Sequence, residues 1–138
     1  MAKIVIIGAG AMGSAFALPC LDNNHDINIV GTHLEDKFIE QLKDNNNLHP
    51  GLNTQIPQEI KIFKFEKFEE LLKSNVDLIV LGISSKGIEW VSDQLSKLYK
   101  DNVIPKLLML TKGLSIHNNQ YELLVDQLER LLADRGIK

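Results

Sequence analysis

The chain has 138 residues, of which 44% are apolar, and 15 basic and 18 acidic side chains give it a net charge of −3. This length allows one domain with its own core and is too short for two ordinary domains. The acidic balance argues against a nucleic-acid partner, and no apolar run is long enough to predict a membrane span. The single cysteine, Cys20, cannot form an internal disulfide, which fits a cytoplasmic protein.

The N-terminal segment predicts a buried strand over residues 3–7 that leads directly into the motif Gly8-Ala9-Gly10-Ala11-Met12-Gly13. Such a turn between a strand and a helix is typical of dinucleotide-binding domains. Gly8 allows a sharp turn, Gly10 leaves room for a diphosphate, and Gly13 lets the helix approach the sheet. The helix, predicted over 11–22 with a kink or an early end at Pro19, directs N–H groups toward an anion. The alternative is an ordinary glycine turn that binds nothing.

The next segment predicts a strand, a helix and a long loop. Asp26–Val30 has the pattern of a second strand, and Thr32–Glu35 forms a capping-box pattern that opens a helix to about residue 44. Residues 44–58 are rich in Asn, Pro and Gly and predict a loop. A loop of this length in a compact domain is usually functional or mobile.

The remaining sequence continues the alternation of strands and helices. We expect an edge strand at 60–65, a short helix at 68–73, a strand at 77–83, a helix at 86–99 and a strand at 107–111. A final helix is predicted from its apolar spacing, with Gly136 at its end; the apolar positions are Tyr121, Leu124, Val125, Leu128, Leu131 and Leu132. The pattern predicts an α/β fold: a Rossmann-type, doubly wound parallel sheet in three α/β/α layers, with strand order 3-2-1-4-5.

The end of the second strand bears on the choice between NAD and NADP. A carboxylate at this place binds the ribose 2′-hydroxyl and repels a 2′-phosphate, but the chain reads Gly31-Thr32-His33. Glu35 is interpreted as the capping partner of Thr32. No arginine is present at this strand end to select a phosphate, and Thr32 and His33 can hydrogen-bond a 2′-substituent. We therefore expect NADP to be accepted alongside NAD.

Three further polar residues follow the fourth and fifth predicted strands. Lys112 precedes Gly113 and is either a solvated surface lysine or a cation that binds a substrate hydroxyl, carbonyl or phosphate. Ser84 and Ser85 either contact the cofactor or cap the next helix. The four histidines lack metal-ligand spacing, so no metal site is predicted.

The ordered set of these segments resembles the N-terminal domain of NAD(P)-dependent glycerol-3-phosphate dehydrogenases. The resemblance covers essentially the whole chain; the matching stretches are Gly8–Gly13, Gly31–His33, Asn47–Gly51 with Ile56-Pro57, and Leu110-Thr-Lys-Gly-Leu114. The last two make the match specific. Two departures are Met12, where the family often has an aromatic residue, and Ile83-Ser84, where it commonly has Val-Pro.

This resemblance implies reversible hydride transfer between a nicotinamide cofactor and dihydroxyacetone phosphate or glycerol 3-phosphate. It implies that the backbone at Ala11 and Met12 touches the pyrophosphate and that His33 lies near the adenosine ribose. Lys112 is implied as a catalytic residue that reaches both the nicotinamide and the substrate.

Family members continue into a helical C-terminal domain with the principal proton-transferring lysine. We therefore interpret residues 1–138 as an NAD(P)-binding domain without that substrate domain, which binds cofactor and turns over little alone. Two alternatives are the cofactor domain of a hydroxyacid dehydrogenase or ketopantoate-type reductase, and a non-catalytic nucleotide-sensing module. Truncation also predicts exposed apolar surface, which allows a homo-oligomer.

Overall fold

The computed structural model describes residues 1–137 and divides into two compact units, which are considered separately. The first unit consists of residues 1–82 and 106–110. The second consists of residues 83–105 together with the chain from residue 111 onward.

The first unit contains a five-stranded parallel sheet. Its strands and those of a small hairpin are, in chain order, β1 (Lys3–Ile7), β2 (Asp26–Val30), β3 (Leu48–His49), β4 (Thr54–Gln55), β5 (Lys61–Phe63), β6 (Leu78–Leu81) and β7 (Lys106–Met109). The sheet order is β5-β2-β1-β6-β7, and β3 pairs only with β4. Counted among the five sheet strands alone, this is the predicted order 3-2-1-4-5, with residues 61–63 on the edge as expected. The central strand β1 is buried almost completely from Ile4 to Ile7, which explains its uninterrupted apolar sequence.

Three helices belong to the first unit: α1 (Ala11–Asp22), α2 (Asp36–Asp44) and α3 (Phe68–Leu72). The predicted bounds of α1, residues 11–22, are confirmed. Of the two effects expected at Pro19, the early end is wrong, because the helix continues to Asp22. Pro19 lies in the last turn, where the missing N–H removes a single backbone bond. The predicted start of α2 at the Thr32 capping box is also wrong. Residues 32–35 form a separate turn, closed by a 3.1 Å bond from Glu35 N to Thr32 O, and the helix begins one residue later.

The segment 44–58, predicted as a loop, contains the β3–β4 hairpin. Its asparagines supply the tight backbone turns, since Asn46, Asn47 and Asn53 all have positive φ. The fully buried side chain of Ile56 fixes the hairpin to the core of the first unit.

The second unit contains two helices, α4 (Ile88–Leu98) and α5 (Leu124–Asp134), and a hairpin of β8 (Leu114–His117) and β9 (Gln120–Leu123). The predicted helical position of Tyr121 is wrong, because this residue lies on β9. Asn118 and Asn119 have φ of 51° and 62°, and two such residues form the turn that favours a hairpin over a helix. Gly136, with φ of 83°, ends α5 as predicted.

Candidate functional site

The glycine-rich turn leaves β1 and enters α1 with the geometry that its sequence predicts. Gly8 has φ of 110°, a value that side chains disfavour, and its N–H donates to Val30 O of β2 at 2.9 Å. A Cβ on Gly13 would lie 2.9 Å from Gly8 O and 3.0 Å from Ile6 Cγ2. Glycine is therefore required at both ends of the turn, for its backbone angle at one and for close packing of α1 at the other.

The middle of the turn is open toward solvent. A Cβ built on Gly10 would meet no atom within 4 Å, and both Ala11 and Met12 are exposed. The first N–H groups of a helix have no partner inside the helix, and the helix dipole places partial positive charge there. The described residues around this helix N-terminus thus leave room for an anion such as a diphosphate, and contact of the Ala11 and Met12 backbone with the cofactor stays a prediction.

The Glu35 carboxylate folds back onto this turn. Its oxygens accept hydrogen bonds from Thr32 N at 2.9 Å and from Ala9 N at 3.2 and 3.3 Å. The predicted capping interaction with the Thr32 backbone is present, but the expectation that the end of β2 lacks a carboxylate is wrong. Four residues separate Glu35 from the end of β2 in sequence, and the turn at residues 32–35 brings its side chain back to the strand end.

Thr32 and the glycine-rich turn are therefore brought together through Glu35. The Thr32 hydroxyl accepts a 3.4 Å hydrogen bond from Leu34 N. His33 is exposed, and its ring lies edge-on to Phe65 with centroids 6.2 Å apart. Contacts of Thr32 and His33 with a cofactor ribose stay predictions.

His49 is a residue of this site whose role the sequence did not reveal. Its side chain is only 2% exposed, and its Nε2 lies 2.9 Å from Ala9 O. The sequence signal was its place between Leu48 and Pro50 in the long loop, but a lone histidine in a loop carries no ligand spacing. Only the folded hairpin shows that His49 contacts the turn.

Ser84, Ser85 and Lys112 belong to the second unit, and all three are exposed. The idea that Ser84 caps the following helical turn is wrong, because its side chain makes no capping hydrogen bond. The segments that hold these residues are linked by a 2.7 Å bond from Thr111 Oγ1 to Ile83 O. Cofactor contacts by the two serines and by Lys112 stay predictions.

Two other kinds of reactive site, a nucleophilic thiolate and a metal centre, find no support among residues 1–137. Burial raises the pKa of the Cys20 thiol, which disfavours the nucleophilic thiolate. Among residues 1–137, no three His, Cys, Asp or Glu side chains are grouped so that they could hold a metal ion. No helix in the described part of the chain has the length and apolarity needed to cross a membrane.

Nearly the whole chain matches one known protein family. Residues 3–137 match the family described as NAD-dependent glycerol-3-phosphate dehydrogenase N-terminus. The chain belongs to this family. The resemblance expected from the glycine motif, the Pro-Gly loop and the Lys112-Gly113 stretch is confirmed.

Individual relatives agree with the family match. The chain is 30% identical over 131 residues to an NADP(+)-dependent glycerol-3-phosphate dehydrogenase of Archaeoglobus fulgidus, covering 95% of this chain and 37% of that relative. It is 32% identical over 137 residues to a glycerol-3-phosphate dehydrogenase [NAD(P)+] of Fusobacterium nucleatum, covering 99% of this chain and 38% of that one. The chain thus spans less than two fifths of these relatives.

Solved structures confirm the fold class. A glycerol-3-phosphate dehydrogenase from Coxiella burnetii superposes with a TM-score of 0.73 at 19% identity, over 95% of this chain and 38% of that one. A D-mandelate dehydrogenase in complex with NADH gives 0.56 at 20% identity, over 99% of this chain and 35% of that one. Because both identities are low, these similarities establish only the fold: the chain has the Rossmann-type fold of the matched parts of both structures.

Proposed function

We propose that the chain binds NAD or NADP, with the diphosphate at the N terminus of α1. The open space in front of Gly10 is the observation that carries this proposal; it lies between Gly8, whose positive φ disfavours a side chain, and the closely packed Gly13. Ala11 and Met12 donate their N–H groups, while Thr32 and His33 lie at the end of β2, where a ribose binds in this class of fold. The nicotinamide ring supplies hydride donation and acceptance when the cofactor is bound.

We further propose that the chain is the cofactor-binding part of an enzyme that interconverts glycerol 3-phosphate and dihydroxyacetone phosphate. Family membership and the names of the relatives support this substrate over hydroxyacids. Lys112 is proposed to contact the nicotinamide and the substrate, holding a positive charge at the reacting oxygen. The principal proton-transferring lysine is proposed to lie in a helical domain beyond this chain. We place the enzyme in the cytoplasm.

A binding experiment tests the cofactor site directly. Titration of the chain with NADH, followed by nicotinamide fluorescence and calorimetry, is expected to show saturable binding to one site. Met12→Glu places a negative charge at the open helix N-terminus and is expected to weaken binding about tenfold, because it repels the diphosphate. Met12→Gln is the matched control and is expected to bind like wild type.

The activity is tested in two steps. With dihydroxyacetone phosphate and NADH, the isolated chain is expected to show negligible oxidation of NADH, because hydride transfer needs a substrate held against the nicotinamide. A longer natural form that includes a C-terminal domain is expected to turn over dihydroxyacetone phosphate, and Lys112→Ala is expected to lower its kcat. Absence of NADH binding would refute the proposal at its first step. Robust turnover by the 138-residue chain would refute only the assignment to a cofactor-binding part.

A further inference from the structure

Ala9 lies in the middle of the Gly8-Ala9-Gly10 turn and is fully buried. Both polar atoms of its backbone are bound by side chains. Its N–H donates to the Glu35 carboxylate at 3.2 and 3.3 Å, and its carbonyl oxygen lies 2.9 Å from His49 Nε2 and 3.2 Å from Ser14 Oγ. Three side chains, those of Ser14, Glu35 and His49, therefore hold the backbone of this one residue on both sides.

The hydrogen bonds define the proton position on His49. A carbonyl oxygen only accepts, so Nε2 carries the proton that it donates to Ala9. On the other side of the ring, Nδ1 accepts from Gly51 N at 3.1 Å. The imidazole thus joins the β3–β4 hairpin to the glycine-rich turn through one donor and one acceptor.

The packing around His49 leaves little freedom for the ring. Its edge meets the Phe38 ring, with centroids 5.4 Å apart and planes at 66°. A Cβ on Gly51 would lie 3.2 Å from His49 Cε1 and 3.4 Å from Ala11 Cβ, so the hairpin also approaches the first residue of α1. The hairpin therefore contacts the turn through the His49 ring and comes close to the first residue of α1.

We propose that His49 is a positioning residue for dinucleotide binding. By holding the Ala9 carbonyl, it fixes the peptide units that follow, so that the N–H groups at the start of α1 point toward the diphosphate before the ligand arrives. Preorganised donors raise affinity because less ordering is required on binding. The inference rests on the proposed binding of NAD or NADP. It implies that the segment 44–58 raises the affinity for the cofactor by ordering the glycine-rich turn, without touching the cofactor itself.

Two amide substitutions separate the hydrogen bonds of His49. In His49→Gln, the longer amide reaches the position of Nε2 and can still donate to Ala9 O. In His49→Asn, the shorter amide can still accept from Gly51 N but does not reach Ala9. Both variants keep a buried polar group of similar chemistry, so general damage to the core is matched between them.

The experiment measures dissociation constants of NADH, and of ADP and adenosine by competition, for wild type and both variants. Thermal unfolding by circular dichroism selects a temperature at which each variant is folded. We expect His49→Asn to weaken the binding of NADH and of ADP about tenfold, and the binding of adenosine by less than about twofold. His49→Gln is expected to stay within about threefold of wild type for all three ligands.

The outcomes distinguish this inference from the function on which it rests. If wild type binds no NADH, the proposed function fails and the role of His49 fails with it. If wild type binds NADH and His49→Asn binds it equally well, only the role of His49 is overturned. An equal loss of ADP and adenosine, or an equal loss in both variants, also overturns it, because a purely structural role affects every ligand alike.

Discussion

The glycine-rich turn and the β8–β9 hairpin are both short chain reversals that require positive φ, but they differ in how far their apolar side chains are buried. In the turn, Ala9 is buried and its backbone is bound by polar side chains. In the hairpin, one face carries four apolar side chains that are 56–79% exposed; they are Leu114, Ile116, Tyr121 and Leu123. The turn is thus stabilised entirely within its own unit, whereas the hairpin leaves apolar surface that a partner can cover.

The other face of the hairpin explains why the apolar face is exposed. Glu122 accepts hydrogen bonds from Arg130 of α5 at 3.0 and 3.1 Å and from Ser115 at 3.0 Å. Because side chains alternate along a strand, holding Ser115 and Glu122 against α5 directs their neighbours outward. The comparison therefore predicts that changes in the turn affect stability and ligand binding, while changes on the hairpin affect association.

The largest expected effect is that of Gly13→Ala. The added Cβ would lie 2.9 Å from a backbone oxygen, so α1 must move, and we expect a loss of about 2–4 kcal/mol in the free energy of unfolding. Urea denaturation measures it. Gly10→Ala is the control, because its Cβ would meet no atom within 4 Å. This substitution should lower the free energy of unfolding by less than about 1 kcal/mol while still weakening the binding of NADH. Equal stability losses in the two variants would contradict the packing role assigned to Gly13.

A smaller effect is expected for Glu35→Gln, which removes the negative charge at the end of β2. A carboxylate there favours a ribose hydroxyl over a 2′-phosphate, so its removal should raise the affinity for NADPH relative to NADH by about threefold to tenfold. The measurement is the ratio of the two dissociation constants at low salt. Lys37→Gln changes a nearby charge outside the turn and serves as the control. An unchanged ratio would show that Glu35 acts only on the backbone of Ala9 and Thr32.

The first unit was predictable because its signals are local and agree with one another. The apolar run of β1, the three glycines and the strand of residues 26–30 each predict the element that forms there. The position of the Glu35 carboxylate was not predictable, because it depends on a turn at residues 32–35 that the capping-box pattern interprets as the first turn of a helix. His49 was missed for a related reason: its partner Ala9 is 40 residues away, and no spacing rule connects them.

The second unit shows how two local signals compete. The apolar spacing from Tyr121 to Leu132 is helical, and it correctly predicts α5. The spacing extends by chance into β9, where the Asn118-Asn119 turn and the pairing of Ile116 with Tyr121 determine the structure. The two turn residues were the better predictor of the structure around Tyr121, since two consecutive asparagines with positive φ match the twist of a hairpin.

The apolar hairpin face predicts self-association of the isolated chain at high concentration. Replacing Ile116 and Tyr121 together by Thr keeps strand propensity and removes most of the apolar area, so the variant should remain monomeric where wild type associates. Light scattering after size exclusion, over a range of concentrations, measures this. The control replaces His117 and Gln120 by Thr on the opposite face. A wild type that stays monomeric throughout would exclude this face as a contact between copies.

The smallest effect concerns the polar face of the hairpin and its pH dependence. Hydrogen bonding from Arg130, with a further contribution from Ser115, lowers the pKa of Glu122. A carboxyl whose pKa is lowered by folding stabilises the folded state above its unfolded pKa, and this stabilisation disappears as the pH falls through the folded value. The melting temperature of wild type should therefore exceed that of Glu122→Gln at pH 7. The difference should begin to shrink as the pH falls below about 4.3, the ordinary pKa of a glutamate, and should vanish only below the lowered pKa of the folded state. Since Arg130 is the main cause, Arg130→Met should remove the same pH-dependent difference, whereas a difference that persists in acid would assign the effect to packing of the Glu122 side chain.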